Sequence, residues 1–214
     1  MRDNLHDYRQ SYEKGSLTKA SVDSNPFQQF REWFYEVKEQ GELKEVNAMT
    51  LTTIGLDGFP KGRVVLLKKY DESGFYFYSN YNSEKGVAMN NNENVSLSFF
   101  WPNMERQVII KGTITKTSKE DSDRYFASRP KGSQLSALVS NQSSVVKDRA
   151  FLEEKLKKLH EEYKEQKVPR PTYWGGYLVQ PVEIEFWQGR PNRLHDRIRY
   201  QRNDQDWNIE RLAP

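Results

Sequence analysis

The segment Phe186-Trp187-Gln188-Gly189-Arg190-Pro191-Asn192-Arg193-Leu194-His195-Asp196-Arg197 gathers cationic and aromatic groups around a Gly–Pro turn. If the chain leaves that turn extended, Arg193, His195 and Arg197 point to one side, because alternate residues of a strand share a face. Such a row serves a negatively charged or planar partner, or it pairs internally with Glu183 and Glu185. A second group, Tyr125, Arg129 and Ser133, recurs at four-residue steps. In a helix Tyr125 and Arg129 lie on one face. Phenol, guanidinium and hydroxyl together can cradle a phosphate, or they mark an ordinary helix end. In a third, Gly62-Arg63-Val64-Val65-Leu66-Leu67-Lys68, two cations flank an apolar run. A plain strand sends Arg63 and Lys68 to opposite sides, where they meet two anions or only solvent.

Other chemistries are missing. The chain has no G-x-G-x-x-G, no G-x-x-x-x-G-K-[ST] and no G-x-S-x-G, which removes the usual dinucleotide, P-loop and serine-hydrolase signatures. With no cysteine, disulfides, iron–sulfur clusters, thiolate zinc sites and cysteine nucleophiles are excluded. His6, His160 and His195 have no ligand-like spacing, so no metal site is expected.

The elements that must position these groups read mainly as strands. Asn25-Pro26 starts a helix, as N-cap and first helical residue; Phe27, Phe30, Phe34 and Val37 form its apolar face, and Gly41 ends it. Strands are predicted at 48–55 and 62–69 around the Asp57-Gly58 turn, then at 75–79, 95–101 and 107–116, with a turn at 71–74. Ser83 caps a short helix through Asn91, and short helices broken at Arg129–Gly132 occupy 119–139. An amphipathic helix over about 148–165, capped by Asp148, buries Leu152, Leu156, Leu159 and Tyr163. Strands return at 176–180, 182–187, 195–202 and 207–212. The economical architecture is mainly β with peripheral helices (α+β), its antiparallel hairpins closed into a barrel. Residues 1–24 read as a polar N-terminal segment and 25–214 as one domain.

Composition sets further bounds. A 36% hydrophobic share is lean for 214 residues, while 13% aromatics offset part of it. That balance points to apolar surface buried against a subunit or a flat ligand. Net charge of +3 is mild for a nucleic-acid binder. No apolar stretch is long enough for a membrane span, and the polar start does not read as a signal peptide; the expectation is a cytoplasmic protein.

Taken in order, the Arg63–Lys68 run, Tyr78-Ser79-Asn80 with Lys85, Glu105-Arg106-Gln107, Tyr125–Ser133, Asn141-Gln142-Ser143-Ser144 and the segment from Phe186 to Arg197 resemble the pyridoxamine 5′-phosphate oxidase family, from about residue 5 to the C-terminus. The resemblance implies a homodimeric, FMN-binding split β-barrel that oxidises pyridoxamine 5′-phosphate and pyridoxine 5′-phosphate to pyridoxal 5′-phosphate, with O2 as acceptor and H2O2 as product. It implies that Arg63, Lys85, Gln142 and Ser143 surround the FMN phosphate. Val64, Val65, Leu66, Leu67, Lys68, Tyr78 and Ser79 line the cofactor site, and Gln107, Trp187 and Arg197 meet the flavin ring. Lys68, Tyr125, Arg129 and Ser133 take the substrate phosphate, Arg193 and His195 act at the substrate ring, and Arg9 and Tyr12 belong to a segment folding over it. No metal, nucleic acid or membrane is implied as partner. Glu84 stands where the family usually carries a basic residue, which bears on phosphate affinity. Arg190-Pro191 replaces a more familiar polar pair and is expected to change only the stiffness of the turn.

Two other readings stay open on sequence. One is an FMN-binding split-barrel flavin reductase or flavin-binding module without vitamin B6 activity. The other is a basic, aromatic barrel for single-stranded nucleic acid.

Overall fold

The computed structural model describes residues 4–204 and 206–214; the first three residues of the expected N-terminal segment lie outside them. The chain packs as two compact units. The first takes the chain up to Thr50, Ser96–Lys111 and Pro181–Pro214, and the second takes Leu51–Val95 and Gly112–Gln180.

In the first unit, α1 (Pro26–Gln40) begins where the Asn25 side chain accepts from the Phe27 N–H at 2.9 Å and ends at Gly41. Its buried face is Phe27, Phe30, Trp33 and Val37. Phe34, expected on that face, is half-buried at its edge, and Trp33 takes the inward position, its ring 5.2 Å from Phe186. Phe30 packs on Phe99 and Trp101, and the Trp101 indole N–H donates to the Val46 carbonyl at 3.1 Å. Burying each such ring stabilises the unit by about 1.5–3 kcal/mol.

The strands are β1 (Ala48–Ile54), β2 (Pro60–Leu66), β3 (Lys69–Asp71), β4 (Gly74–Asn80), β5 (Asn94–Trp101), β6 (Arg106–Lys116), β7 (Trp174–Gln188), β8 (Asp196–Asn203) and β9 (Asp206–Leu212). They form one sheet in the order β2-β1-β5-β6-β7-β4-β3, with β8 on β7 and β9 on β8. β1, β5, β6 and β7 each contribute a stretch to both units.

Three strand expectations are corrected. β2 stops at Leu66, so Lys68 lies beyond it and face alternation does not reach from Arg63 to Lys68. The turn predicted at 71–74 is present, with Asp71 paired to Gly74, but the strand before it, β3, which pairs with β4, was not predicted. The two strands predicted either side of Pro181 are one strand of 15 residues. β4 pairs with 174–179 and β8 with 183–188, so Pro181 falls between these two ladders and removes a donor from neither.

In the second unit, α2 (Glu84–Asn91) is capped by Ser83, and α3 (Lys119–Ser128) and α4 (Lys131–Val139) flank Arg129-Pro130. The last helix, α5 (Arg149–Glu162), is capped by Asp148. Its predicted buried stripe is only half-buried: Leu156, Leu159 and Tyr163 rest on the edge of a cluster formed by Phe126, Leu135, Val168 and Trp174.

Candidate functional site

Lys85 in α2 carries the most unusual charge of the second unit. Ser83 caps the helix, and the first turn places the Lys85 side chain inward, 8% exposed. Its ammonium donates to Gln142 Oε1 at 2.8 Å, Ser83 Oγ at 3.1 Å and Ser79 Oγ at 3.2 Å, all neutral acceptors. Burial lowers its pKa to about 8, and the neighbouring Arg63 pushes the same way, with Glu84 partly opposing. Arg63 on β2 reaches back to the Leu51 carbonyl and Thr53 Oγ1 at 3.1 and 2.8 Å, and burial holds it too below its ordinary value. Two neighbouring cations with neutral partners fit an anion, because a buried charge calls for an opposite one. The start of α2 adds its dipole and its N–H groups. Ser143 joins there in a left-handed conformation (φ 76°), its Oγ accepting from the Glu84 N–H at 3.2 Å.

Glu84 itself turns to solvent. Both its oxygens lie 2.7 Å from the Lys61 ammonium, a partner 23 residues away that the sequence reading did not identify.

A second cationic site belongs to the same unit. Tyr78 stacks on Tyr125 with centroids 3.8 Å apart, Trp174 lies nearly parallel to both, and the Arg129 guanidinium sits 4.5 Å from the Trp174 ring centre. Arg129 Nη1 is buried without a hydrogen-bond partner, and burial lowers the guanidinium pKa. An unmet charged donor costs about 1–3 kcal/mol or more, which an anionic oxygen would remove. A cleft of about 320 Å³ includes in its lining Arg129, Trp174 and Tyr78, together with Ser79 and Gln142, two of the acceptors of Lys85. Ser133 is half-buried in the first turn of α4 and Lys68 is exposed; among the described residues no hydrogen bond ties either side chain to Arg129. Val64 is exposed, Val65 and Leu66 are half-buried, and Leu67 is buried.

The first unit holds the remaining predicted residues. Trp187 on β7 faces Arg197 on β8. Arg197 is occupied: Nε and Nη2 donate to the two Glu185 oxygens at 2.7 and 3.0 Å, and Nη1 donates to the Ala213 carbonyl at 2.8 Å. The internal pairing left open above is therefore realised for Arg197. Arg193, His195 and Arg197 do not extend from one strand. Arg193 ends a 3-10 turn at Pro191–Arg193, where Asn192 and Arg193 both take positive φ, 55° and 61°. Left-handed non-glycine residues cost of order 1–3 kcal/mol each and cluster at functional sites. Arg193 is left exposed.

His195 Nδ1 accepts from the Arg190 N–H at 3.1 Å, so the neutral ring carries its proton on Nε2. Burial, then Arg193, lowers its pKa, favouring that neutral form at pH 7. Its ring lies 4.7 Å from Trp187 and 5.7 Å from Tyr12. Gln107 Nε2 donates to Ser98 Oγ at 3.1 Å. Arg9 is exposed. Arg190 does more than stiffen its turn: besides orienting His195, its Nη1 donates to the Gly15 carbonyl at 2.6 Å.

Residues 36–163 match the family model described as pyridoxamine 5′-phosphate oxidase. The chain belongs to the pyridoxamine 5′-phosphate oxidase family. Residues 174–214 match that described as the pyridoxine 5′-phosphate oxidase C-terminal dimerisation region. Curated relatives named pyridoxine/pyridoxamine 5′-phosphate oxidase include one from Flavobacterium johnsoniae, 60% identical over 98% of both chains. Another, from Salinibacter ruber, is 52% identical over 98% of this chain and 99% of its own. Among solved structures, PhzG from Burkholderia lata, in complex with tetrahydrophenazine-1-carboxylic acid, superposes with a TM-score of 0.85 at 26% identity, covering 92% of this chain and 98% of that one. A pyridoxamine 5′-phosphate oxidase-related, FMN-binding protein from Nostoc punctiforme shares the fold, with a TM-score of 0.70 at 16% identity over 89% of this chain and 98% of that one. The split β-barrel expected for the family is thus the fold of this chain. Trp174, Thr53, Lys61 and Arg190 were not among the predicted site residues; only the Arg190-Pro191 departure drew attention to one of them.

Proposed function

We propose that this chain is a homodimeric, FMN-dependent oxidase that forms pyridoxal 5′-phosphate. Pyridoxine 5′-phosphate and O2 give the aldehyde and H2O2; pyridoxamine 5′-phosphate, O2 and water give the aldehyde, ammonia and H2O2. The observation that carries this reading is a pair of cationic sites in one unit, Lys85 with Arg63 on neutral acceptors and Arg129 with an unmet donor on its aromatic stack, with Ser79 and Gln142, two of the Lys85 acceptors, lining the cleft that Arg129 also lines. One phosphorylated ligand needs one such site, and a phosphorylated cofactor acting on a phosphorylated substrate needs two.

Arg63, Lys85, Gln142 and Ser143 are assigned to the FMN phosphate, with Tyr78, Ser79 and Val64–Lys68 along the cofactor. Gln107, Trp187 and Arg197 are assigned to its ring. Arg129, Tyr125, Ser133 and Lys68 take the substrate phosphate. Arg193 and His195 hold the substrate ring, His195 through the proton on Nε2, while Arg9 and Tyr12 cover it and keep water out. Bound FMN supplies the two-electron acceptor that O2 then reoxidises, so the side chains chiefly bind and orient. Exposed Phe59, Val64, Phe100 and Leu194, at 71%, 69%, 58% and 69%, supply apolar surface for a partner subunit. No helix among the described residues is long and apolar enough to cross a membrane, and a cytoplasmic location is part of the proposal.

Purified protein should absorb as a flavoprotein, sediment near twice 25.3 kDa, and release peroxide with either substrate. Flavin-loaded protein that yields no peroxide with both would leave a flavin-binding module without this activity. Colourless protein that binds single strands would favour the nucleic-acid reading.

Glu84 offers a finer test. Its charge acts on both Arg63 and Lys85, yet its pairing with Lys61 is solvent-exposed, and such pairs contribute about 0–1 kcal/mol. Glu84→Arg is expected to tighten FMN binding about two- to fivefold at low salt, with the gain shrinking at high salt. Fluorescence titration of apoprotein measures it; unchanged or weaker binding would show that the Lys61 pair already insulates the phosphate site.

A further inference from the structure

Asp196 opens β8 and is almost fully buried, at 9% exposure. It stands next to His195 in sequence, but its carboxylate is turned to the N-terminal segment. Oδ2 accepts the buried Leu17 N–H at 3.0 Å and lies 3.4 Å from Arg190 Nε. Oδ1 accepts both terminal nitrogens of Arg211, at 2.7 and 2.9 Å. The two arginines then reach the same segment from either side: Arg211 Nη2 donates to the Leu17 carbonyl at 3.0 Å and Arg190 Nη1 to the Gly15 carbonyl at 2.6 Å.

One buried carboxylate thus organises a clamp on three backbone groups of residues 15–17. The fit is close. A Cβ at Gly15 would come within 2.8 Å of Gln188 Oε1, and one at Gly189 within 2.8 Å of Tyr12 Cβ. Three residues upstream of Gly15, the Tyr12 ring meets Trp187 edge-on at 5.8 Å and His195 at 5.7 Å. Among the described residues Tyr12 has no charged anchor of its own, whereas residues 14–17 are held, with Lys14 adding bonds to Glu105 and the Asn103 carbonyl.

We propose that Asp196 is a positioning residue: through Arg190 and Arg211 it fixes the N-terminal segment so that Tyr12 closes on His195 and Trp187. The kinetic part of this inference rests on the oxidase reading above, while the structural part does not. In FMN-loaded enzyme, Asp196→Asn should raise KM for pyridoxine 5′-phosphate about tenfold with a smaller change in kcat, the size expected when charged hydrogen bonds are weakened. Tryptic cleavage after Lys14 should accelerate by a similar factor of about ten, selectively over other sites, because only the segment is released. Tyr12→Ala should raise KM alone, and adding Asp196→Asn to it should change KM little further, since two residues acting through one contact are not additive. Arg190→Ala, which spares the Asp196–Arg211 pair, should act in the same direction more weakly and covers the case of a poorly folding Asp196 variant. Unchanged cleavage at Lys14 in both the Asp196 and Arg190 variants, or independent effects of Asp196 and Tyr12 on KM, would overturn the proposal. A wild-type protein without oxidase activity would instead overturn the functional reading, with the cleavage arm still deciding the clamp.

Discussion

Arg129→Ala is expected to lower kcat/KM for pyridoxine 5′-phosphate by about ten- to a hundredfold, because hydrogen bonds to charged groups contribute roughly 1.5–3 kcal/mol. Flavin content should stay normal. The guanidinium is held over Trp174 with Nη1 buried and unpartnered, so packing within the chain fixes its placement, and a phosphate oxygen would satisfy its unmet donor. Arg129→Lys should recover little, since an ammonium cannot both lie flat on an indole and present a second donor. Steady-state kinetics with phosphorylated and dephosphorylated substrate give the check: the loss should fall on the phosphorylated one. Loss of bound flavin would place Arg129 at the cofactor phosphate and reverse the partition of the two anion sites.

The second large effect is a pH dependence of FMN binding set by Lys85. Its pKa in the free protein is lowered from 10.5 to about 8 by burial and Arg63. A phosphate beside it favours the charged form, so the complex has the higher pKa. Below pH 8 Lys85 is protonated in both states and affinity is level. Above pH 8 the free protein loses the proton and must regain it to bind, so affinity should fall by up to about tenfold per pH unit until the pKa of the complex is reached. The stability of the apoprotein runs the other way. A lysine with a depressed folded pKa contributes stability that is complete above its unfolded value of 10.5 and lost as pH falls through about 8. Apoprotein should therefore gain stability from this group over the interval in which FMN affinity declines. Lys85→Met should remove both slopes and weaken FMN about ten- to a hundredfold at pH 7. Titrations from pH 7 to 10 would show it; a flat affinity profile in the wild type would mean that Lys85 does not face the phosphate.

Features with short-range causes were legible without coordinates. The caps at Asn25, Ser83 and Asp148 depend on a side-chain oxygen reaching an N–H two or three residues ahead, so the residue type and its position suffice. Asp57-Gly58 closes its turn for the same reason, with Asp57 Oδ1 accepting the Phe59 N–H. The break between α3 and α4 follows from Pro130, because the residue before a proline avoids helical geometry. The order of the cationic motifs carried the family.

Tertiary structure alone decided which cation meets which partner. Arg63, Arg129, Arg193 and Arg197 carry the same charge in sequence, and several carboxylates compete for each. Strand pairing sets Arg197 against Trp187, next to Glu185, which accepts two of its hydrogen bonds, while packing on Trp174 leaves Arg129 with a free donor. Lys61 neutralises Glu84 across 23 residues, and Arg190 holds Gly15 across 175. Such contacts depend on which elements become neighbours, and a charge has no local geometry that selects among distant partners. Residue types and their order therefore determined the family and the local caps and turns; the fold determined which partner each charged side chain meets.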